Sequence, residues 1–218
     1  MRLLSWLLSR LTLLIYAEEW LSMQHQVGLI KRNLEKVKES ERPPYVLQMM
    51  LVSGEDHRFY SHCGIDPIAV CRAIWRTTVC GRREGASTIE MQLVRVLTAQ
   101  YQRTLSRKCR EAFLAVILSR SIPKTDVASL YLHVAYYGTD LQGFSHAARK
   151  LHILPAAMNL REAASLAARL KYPEPRRMSD RRRRQIDVRT DYLMSRYHTC
   201  FKTEAINASL RQEYHATI

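Results

Sequence analysis

The sequence is short of several things at once, and each shortage excludes a class of protein. Seven glycines and seven prolines in 218 residues are too few for a chain of many short strands and tight turns. The same counts exclude a collagen or a mucin-like stalk. The five cysteines, Cys63, Cys71, Cys80, Cys109 and Cys200, are odd in number and none has C-x-x-C spacing, so neither a zinc site nor a complete disulfide set is indicated. Acidic residues are scarce beside basic ones, 20 against 34, which leaves a formal charge of +14. That excess implies an anionic partner: nucleic acid, a lipid surface or a phosphorylated substrate. Long apolar runs are also missing. The best stretch, Leu3 to Tyr16, is interrupted by Arg10 and falls short of the roughly 20 residues a spanning helix wants. No small-residue cleavage site follows it. It reads as a marginal signal anchor or an interfacial helix with Trp6 and Trp20 at the interface, or else as an ordinary buried first helix.

What is present is helical periodicity. Apolar residues make up 47% and charged residues 25% of the chain, ordinary values for a globular protein that can bury one core. A mixed-charge stretch, Lys31 to Glu41, looks like a solvated helix or linker and closes at Pro43-Pro44, the expected domain boundary. Beyond it Val46, Met49 and Met50, then Ile68, Cys71, Ile74 and Trp75, follow an i, i+3, i+4 rhythm. Ser87-Thr88 leads into Ile89, Leu93, Val96 and Leu97. Ser106 is a candidate N-cap for a helix ending before Pro123. Further helices are expected from Lys124 to Tyr137 with a stop at Gly138, from Leu160 to Leu170, and from Ser179-Asp180 to about Tyr197. No period-2 strand or internal repeat is evident, so the fold class is mainly α. The expected organisation is a hydrophobic segment over 1–20, a charged segment over 21–44, a domain over 45–205 and a tail over 206–218.

The charge is clustered. Residues 82–110 hold seven basic residues (Arg82, Arg83, Arg95, Arg103, Arg107, Lys108, Arg110) against Glu84 and Glu90; residues 171–200 hold nine against four. The second cluster contains Arg181 to Arg184 on an amphipathic helix, ordinarily a solvated face. The first flanks candidate acids. Glu55-Asp56 stand beside His57, Arg58, Phe59 and His62, a crowding of ionisable groups that suits a carboxylate for acid/base work but equally fits a solvated loop. Glu111 lies one helical turn after Arg107, so the two share a face. Ser121 and Lys124 have S-x-x-K spacing without its companion motifs.

These acids fall inside a longer pattern, and here the chain resembles the peptidoglycan glycosyltransferases, the lysozyme-like domain of bifunctional penicillin-binding proteins and of monofunctional transglycosylases. The family's EDxxFxxHxGxD is intact as Glu55, Asp56, Phe59, His62, Gly64 and Asp66. Its GGSTITQQLxKN is altered to GASTIEMQLVRV over Gly85 to Val96. Its RKxxExxxA is intact as Arg107, Lys108, Glu111 and Ala115. YLHVAYYG over Tyr131 to Gly138 is similar to the family's YLNxxYFG, and LREAASLAARL to its LxEAAxLAxL. The motifs run in order over about three-quarters of the chain. The departures are Ala86, Glu90, Met91 and Val96 in the second motif, and Ser129 and His133 where the family has Glu and Asn. Glu90 places a negative charge near the expected diphosphate unless its helix turns it away.

The resemblance implies a lysozyme-like helical fold and the transfer of an undecaprenyl-diphosphate-linked glycan onto lipid II. It makes Glu55 the general base and Glu111, with basic residues or a divalent metal such as Mg²⁺ or Mn²⁺ at Glu111, the stabiliser of the diphosphate leaving group. Arg95 stands for the family's Lys, and Arg103, Arg107 and Lys108 are expected near the diphosphate. Asp56, Phe59, His62, Ser87, Thr88 and Gln92 complete the expected substrate-binding set. The implied setting is the outer side of the cytoplasmic membrane, against anionic lipid and among other cell-wall synthesis proteins. The second reading is a degenerate relative that binds lipid II or glycan without turnover. A glycan hydrolase would also use a Glu, but gives no reason for arginines around Glu111. A nucleic-acid binder calls for aromatics among the basic residues, and residues 82–110 offer only Tyr101.

Overall fold

A computed structural model of the chain describes Trp6, Arg10, residues 12–81 and residues 84–216, with side chains as far as residue 199. Half of the Leu3–Tyr16 stretch, and Arg82 and Arg83, lie outside the described residues. Nine helices carry the described fold: α1 (Ala17–Lys36), α2 (Tyr45–Glu55), α3 (Pro67–Thr78), α4 (Ile89–Leu97), α5 (Leu105–Ser121), α6 (Lys124–Val134), α7 (Phe144–Lys150), α8 (Leu160–Lys171) and α9 (Asp180–Ala216). Among the described residues there is no strand, only the isolated bridges Tyr136–Gln142 and Gly138–Glu174. The expected mainly α, lysozyme-like class is the observed one. None of the described helices is long and apolar enough to cross a membrane.

The helices start where short polar side chains can cap them. Asp66 accepts from Ile68 N ahead of Pro67, whose missing N–H costs nothing at that position. Thr88 accepts from Met91 N, and Asn159 with Glu162 forms a capping box. The α5 cap is Thr104, which accepts from Arg107 N, and not Ser106, two residues on. α6 ends at Val134, earlier than Gly138 suggested. The backbone after it turns to pair with the chain beyond α8, Glu174 N donating to Tyr137 O at 2.9 Å and Thr139 N to Glu174 O at 2.7 Å. Gly138 is needed there because a Cβ would strike the Glu174 backbone. Pro173 and Pro175 keep that segment from continuing α8. α9 runs on past Tyr197, since nothing in residues 198–216 breaks a helix.

The core is built on Leu47, Met50, Leu51, Leu93, Leu114, Leu118, Leu130 and Leu166, all at most 1% exposed. Trp20, Met23, Val27 and Leu34 of α1 belong to the same cluster. α1 is also tied to α6 by Lys31–Asp126 at 2.7 Å. Within the mixed-charge stretch Lys31–Glu41, Leu34 and the Lys31–Asp126 pair fasten the helical part to the fold, while most of the other side chains stay solvated.

Candidate active site

The first acid ends a helix. Glu55 is the last residue of α2 and keeps its side chain 21% exposed. Its Oε1 accepts from Arg189 Nη2 at 2.8 Å, and its Oε2 from Gln92 Nε2 at 3.4 Å. Gln92 in turn accepts from Tyr131 OH at 2.6 Å. Burial, and then the Glu55 charge, push the Tyr131 hydroxyl well above its ordinary pKa, so it stays a neutral donor to Gln92. Arg189 also donates to Gly54 O at 2.8 Å. Gly54 is what lets α9 lie this close, because a Cβ there would run into Leu193.

The next residue behaves differently. Asp56 is buried, with both oxygens near His62 Nε2 (3.1 and 3.0 Å) and one accepting from Ile89 N at 3.2 Å. It thus pins the start of α4 to the loop after Glu55. Phe59 is fully buried. Thr88, also buried, donates to Gly64 O at 2.7 Å while capping α4. Gly64 has φ +88° and sits against the Ala115 backbone, where a side chain has no room.

The second acid sits mid-helix. Glu111 on α5 is 2% exposed and saturated with cations. Arg95 of α4 gives a two-pronged contact, Nε to Oε1 at 2.8 Å and Nη2 to Oε2 at 3.2 Å. Arg107, one turn back on α5, donates to Oε1 as well. Lys108 reaches across to Ser87 Oγ at 3.0 Å. Burial, and then the neighbouring Arg95 charge, lower the Lys108 pKa. An ammonium so placed gains from an incoming anion. Arg103 is exposed in the connection before α5 and makes no hydrogen bond or ion pair with Glu111 among the described residues.

One helix links the two acids. Gln92 and Arg95 are three residues apart on α4, about 4.5 Å along its axis, and share a face. The first reaches Glu55 and the second Glu111. Glu90, on the same helix, points the other way. It is 0% exposed and paired with Lys124, whose ammonium lies 4.4 Å above the Phe59 ring. The negative charge that the sequence placed near the diphosphate is directed into the core.

A metal fits this arrangement poorly at Glu111, where guanidinium groups already occupy both carboxylate oxygens. Asp56, His62 and Glu90 offer three ligand atoms within 4.8 Å of one another, all buried. Lys124 already supplies the counter-charge to Glu90, and His62 and the Ile89 amide fill the Asp56 oxygens. Both Asp56 oxygens are taken, while Glu90 Oε2 and His62 Nδ1 are buried without a hydrogen-bond partner, so the trio keeps ligand atoms that a cation could use.

Residues 23–198 match the family model described as Transglycosylase. The chain belongs to the transglycosylase family. It is 36% identical to penicillin-binding protein 1A of Aquifex aeolicus over 67% of this chain and 20% of that protein. It is 34% identical to penicillin-binding protein 1A of Escherichia coli over 80% of this chain and 21% of that protein. Against penicillin-binding protein 1A/1B of Bacillus subtilis the figures are 31%, 68% and 16%. The chain thus spans about a fifth of the length of these relatives. Within this transglycosylase, Arg189 is the site member that the motifs do not touch; Tyr131 opens the YLHVAYYG motif and Lys124 stands in the S-x-x-K spacing, but neither pattern assigns the role found here. Arg189 carried one faint signal: it flanks Ile186, Thr190 and Leu193, the buried stripe of α9.

Proposed function

We propose that this transglycosylase polymerises peptidoglycan glycan strands, transferring a diphosphate-linked glycan onto lipid II. The observation that carries the reading is the pair of unlike acids joined by α4: one reachable carboxylate, Glu55, and one buried carboxylate, Glu111, ringed by cations. Glu55 accepts the proton of the acceptor sugar hydroxyl. The oxygen attacks the anomeric carbon of the donor, the bond to the diphosphate breaks, and the diphosphate departs with the electron pair. Arg95, Arg107 and Lys108, held in place by Glu111 and Ser87, stabilise that departing charge. Arg103 joins from its exposed loop as the anion arrives. Asp56, Phe59, His62 and Thr88 act from inside, fixing the loop that carries Glu55 against α4. A divalent cation has no step in this scheme, since the guanidinium groups supply the positive charge.

The donor's lipid also has a place. An apolar hollow of about 570 Å³ between α3 and α5 is lined by Ile65, Val70, Ile74, Leu105 and Ala112 and opens beside Lys108. Ile68, Ile74 and Trp75 of α3 and Val79 just after it are exposed, Ile74 at the hollow itself, an apolar surface suited to the outer leaflet of the cytoplasmic membrane. The deciding experiment is lipid II polymerisation in detergent by wild type, Glu55→Gln and Glu111→Gln. Product from wild type alone supports the reading, equal product from all three sinks the catalytic assignment, and none from wild type leaves a binder without turnover.

A further inference from the structure

The N-terminal part of α9 carries a groove that the scheme above does not use. Its volume is about 440 Å³, and Tyr172, Arg181, Arg184, Val188, Arg189 and Tyr192 line it. The α9 members recur at helical spacing, so they form one face, opposite the buried Ile186, Thr190 and Leu193. No carboxylate lines this face. Asp191 pairs instead with Arg161 at 3.3 Å, and Asp187 lines a separate hollow with Thr190 and Arg169. Among the described residues Arg181 and Arg184 have no ion-pair partner. The two aromatic rings already sit against cations, Arg182 lying 5.8 Å from the Tyr172 ring and Arg189 4.9 Å from that of Tyr192.

Arg189 belongs to both places. It lines the groove, and it also holds Glu55 at 2.8 Å. Its Nε is buried with no acceptor, so the Glu55 contact does not satisfy the whole guanidinium. An anion in the groove competes with Glu55 for this one side chain. We infer that the groove is a binding site for the phosphate of a sugar acceptor, and that Arg189 couples its occupancy to Glu55. The chemistry is specific: guanidinium groups suit phosphate oxygens in a two-pronged contact, and tyrosine rings suit the apolar face of a pyranose. As phosphate draws Arg189 toward the groove, the Glu55 carboxylate loses a donor and faces the sugar hydroxyl. The inference rests on the proposed glycosyl transfer for its purpose but not for its detection.

The test is binding, read on the arginine side-chain Nε–H resonances of the folded, full chain. N-acetylglucosamine 1-phosphate is titrated in, with inorganic phosphate and phosphatidylglycerol vesicles as separate arms. The Arg189 resonance is expected to move with the sugar phosphate. The double variant Arg181→Ala/Arg184→Ala should weaken that response by about tenfold or more, the scale of losing charge-assisted contacts. Lys108→Ala, which alters the other cationic site, should leave it unchanged. Tyr192→Ala should erase the preference for sugar phosphate over inorganic phosphate. The inference is overturned by an Arg189 resonance that stays put at saturating probe, or by a titration the double variant does not alter. It is equally overturned if the double variant loses only vesicle binding, which would make the face a lipid-headgroup surface. A wild type that binds the probe but makes no polymer keeps this site and removes the polymerase reading; an active wild type with an unmoved Arg189 does the reverse.

Discussion

Glu55 and Glu111 are the same side chain in opposite settings. Glu55 ends a helix, keeps a fifth of its side chain in solvent and has one arginine and one amide as partners. Glu111 is mid-helix, shut from solvent and gripped by two arginines. A base must be reached by its substrate and must be able to take a proton. A carboxylate shut from solvent between guanidinium groups is out of a substrate's reach, but it can hold those groups at fixed positions for an anion to meet. The difference between the settings is what supports the proposed division of work, with Glu55 to move a proton and Glu111 to arrange charge.

The sharpest way to break this contrast is to remove each carboxylate charge in turn and read activity and stability separately. Glu55→Gln should lower kcat by about 10²–10⁴-fold, the usual worth of a positioned general base, while the thermal midpoint stays near that of wild type. Glu111→Ala should act mainly on the fold. It strands Arg95 and Arg107 beside each other without an anion, and breaking a buried pair in this way costs about 3–5 kcal/mol in denaturant unfolding. Added inorganic diphosphate should recover part of that loss in Glu111→Ala by binding the stranded cations. A stable, well-folded Glu111→Ala would refute the charge-arranging role.

The two acids stood out in the sequence through the resemblance, whose motifs are short and local. Asp66 capping α3, Thr88 capping α4 and the Arg107–Glu111 turn all lie within a few residues, where spacing alone sets who meets whom. The partners that complete the site are remote. Arg189 is 134 residues from Glu55, and Lys124 is 34 from Glu90. No periodicity relates such positions, since only the packing of α9 across Gly54, or of α6 beside α4, brings them together. Boundaries failed for a related reason. Gly138 is a good helix stop by local rules, yet α6 ends four residues sooner because its following backbone is taken by Glu174. Thr104 and Ser106 offer the same hydroxyl within one turn, and sequence gives no means of choosing between them.

Glu90 adds a third setting to the comparison, a carboxylate with no solvent and no substrate. Lys124 is its counter-charge, so Lys124→Met should destabilise the fold by about 3–5 kcal/mol as Glu90 is left buried and unpaired. Adding Glu90→Thr, the residue the family carries there, should restore most of that stability. Glu90→Thr alone should cost less, because Lys124 retains partial solvent contact and its place over Phe59. Urea unfolding of the three variants measures each effect. A double variant no more stable than Lys124→Met would show that Lys124 contributes by packing rather than by charge.

The smallest effect concerns His133, where the family has Asn. Burial lowers its pKa, so the folded chain favours the neutral imidazole. The unfolded chain takes up the proton near the ordinary value of about 6.5. Between that pH and the lower folded value, the unfolded state binds more protons, and stability must rise with pH across the window and fall as the solution is acidified. His57 is shifted the same way by burial, then Arg196 and Arg72, but it is exposed and should add little. His133→Asn has no proton to lose, so its melting temperature should decline less than that of wild type between pH 7 and pH 5, with both proteins at equal ionic strength. Parallel declines would place the acid sensitivity elsewhere than at His133.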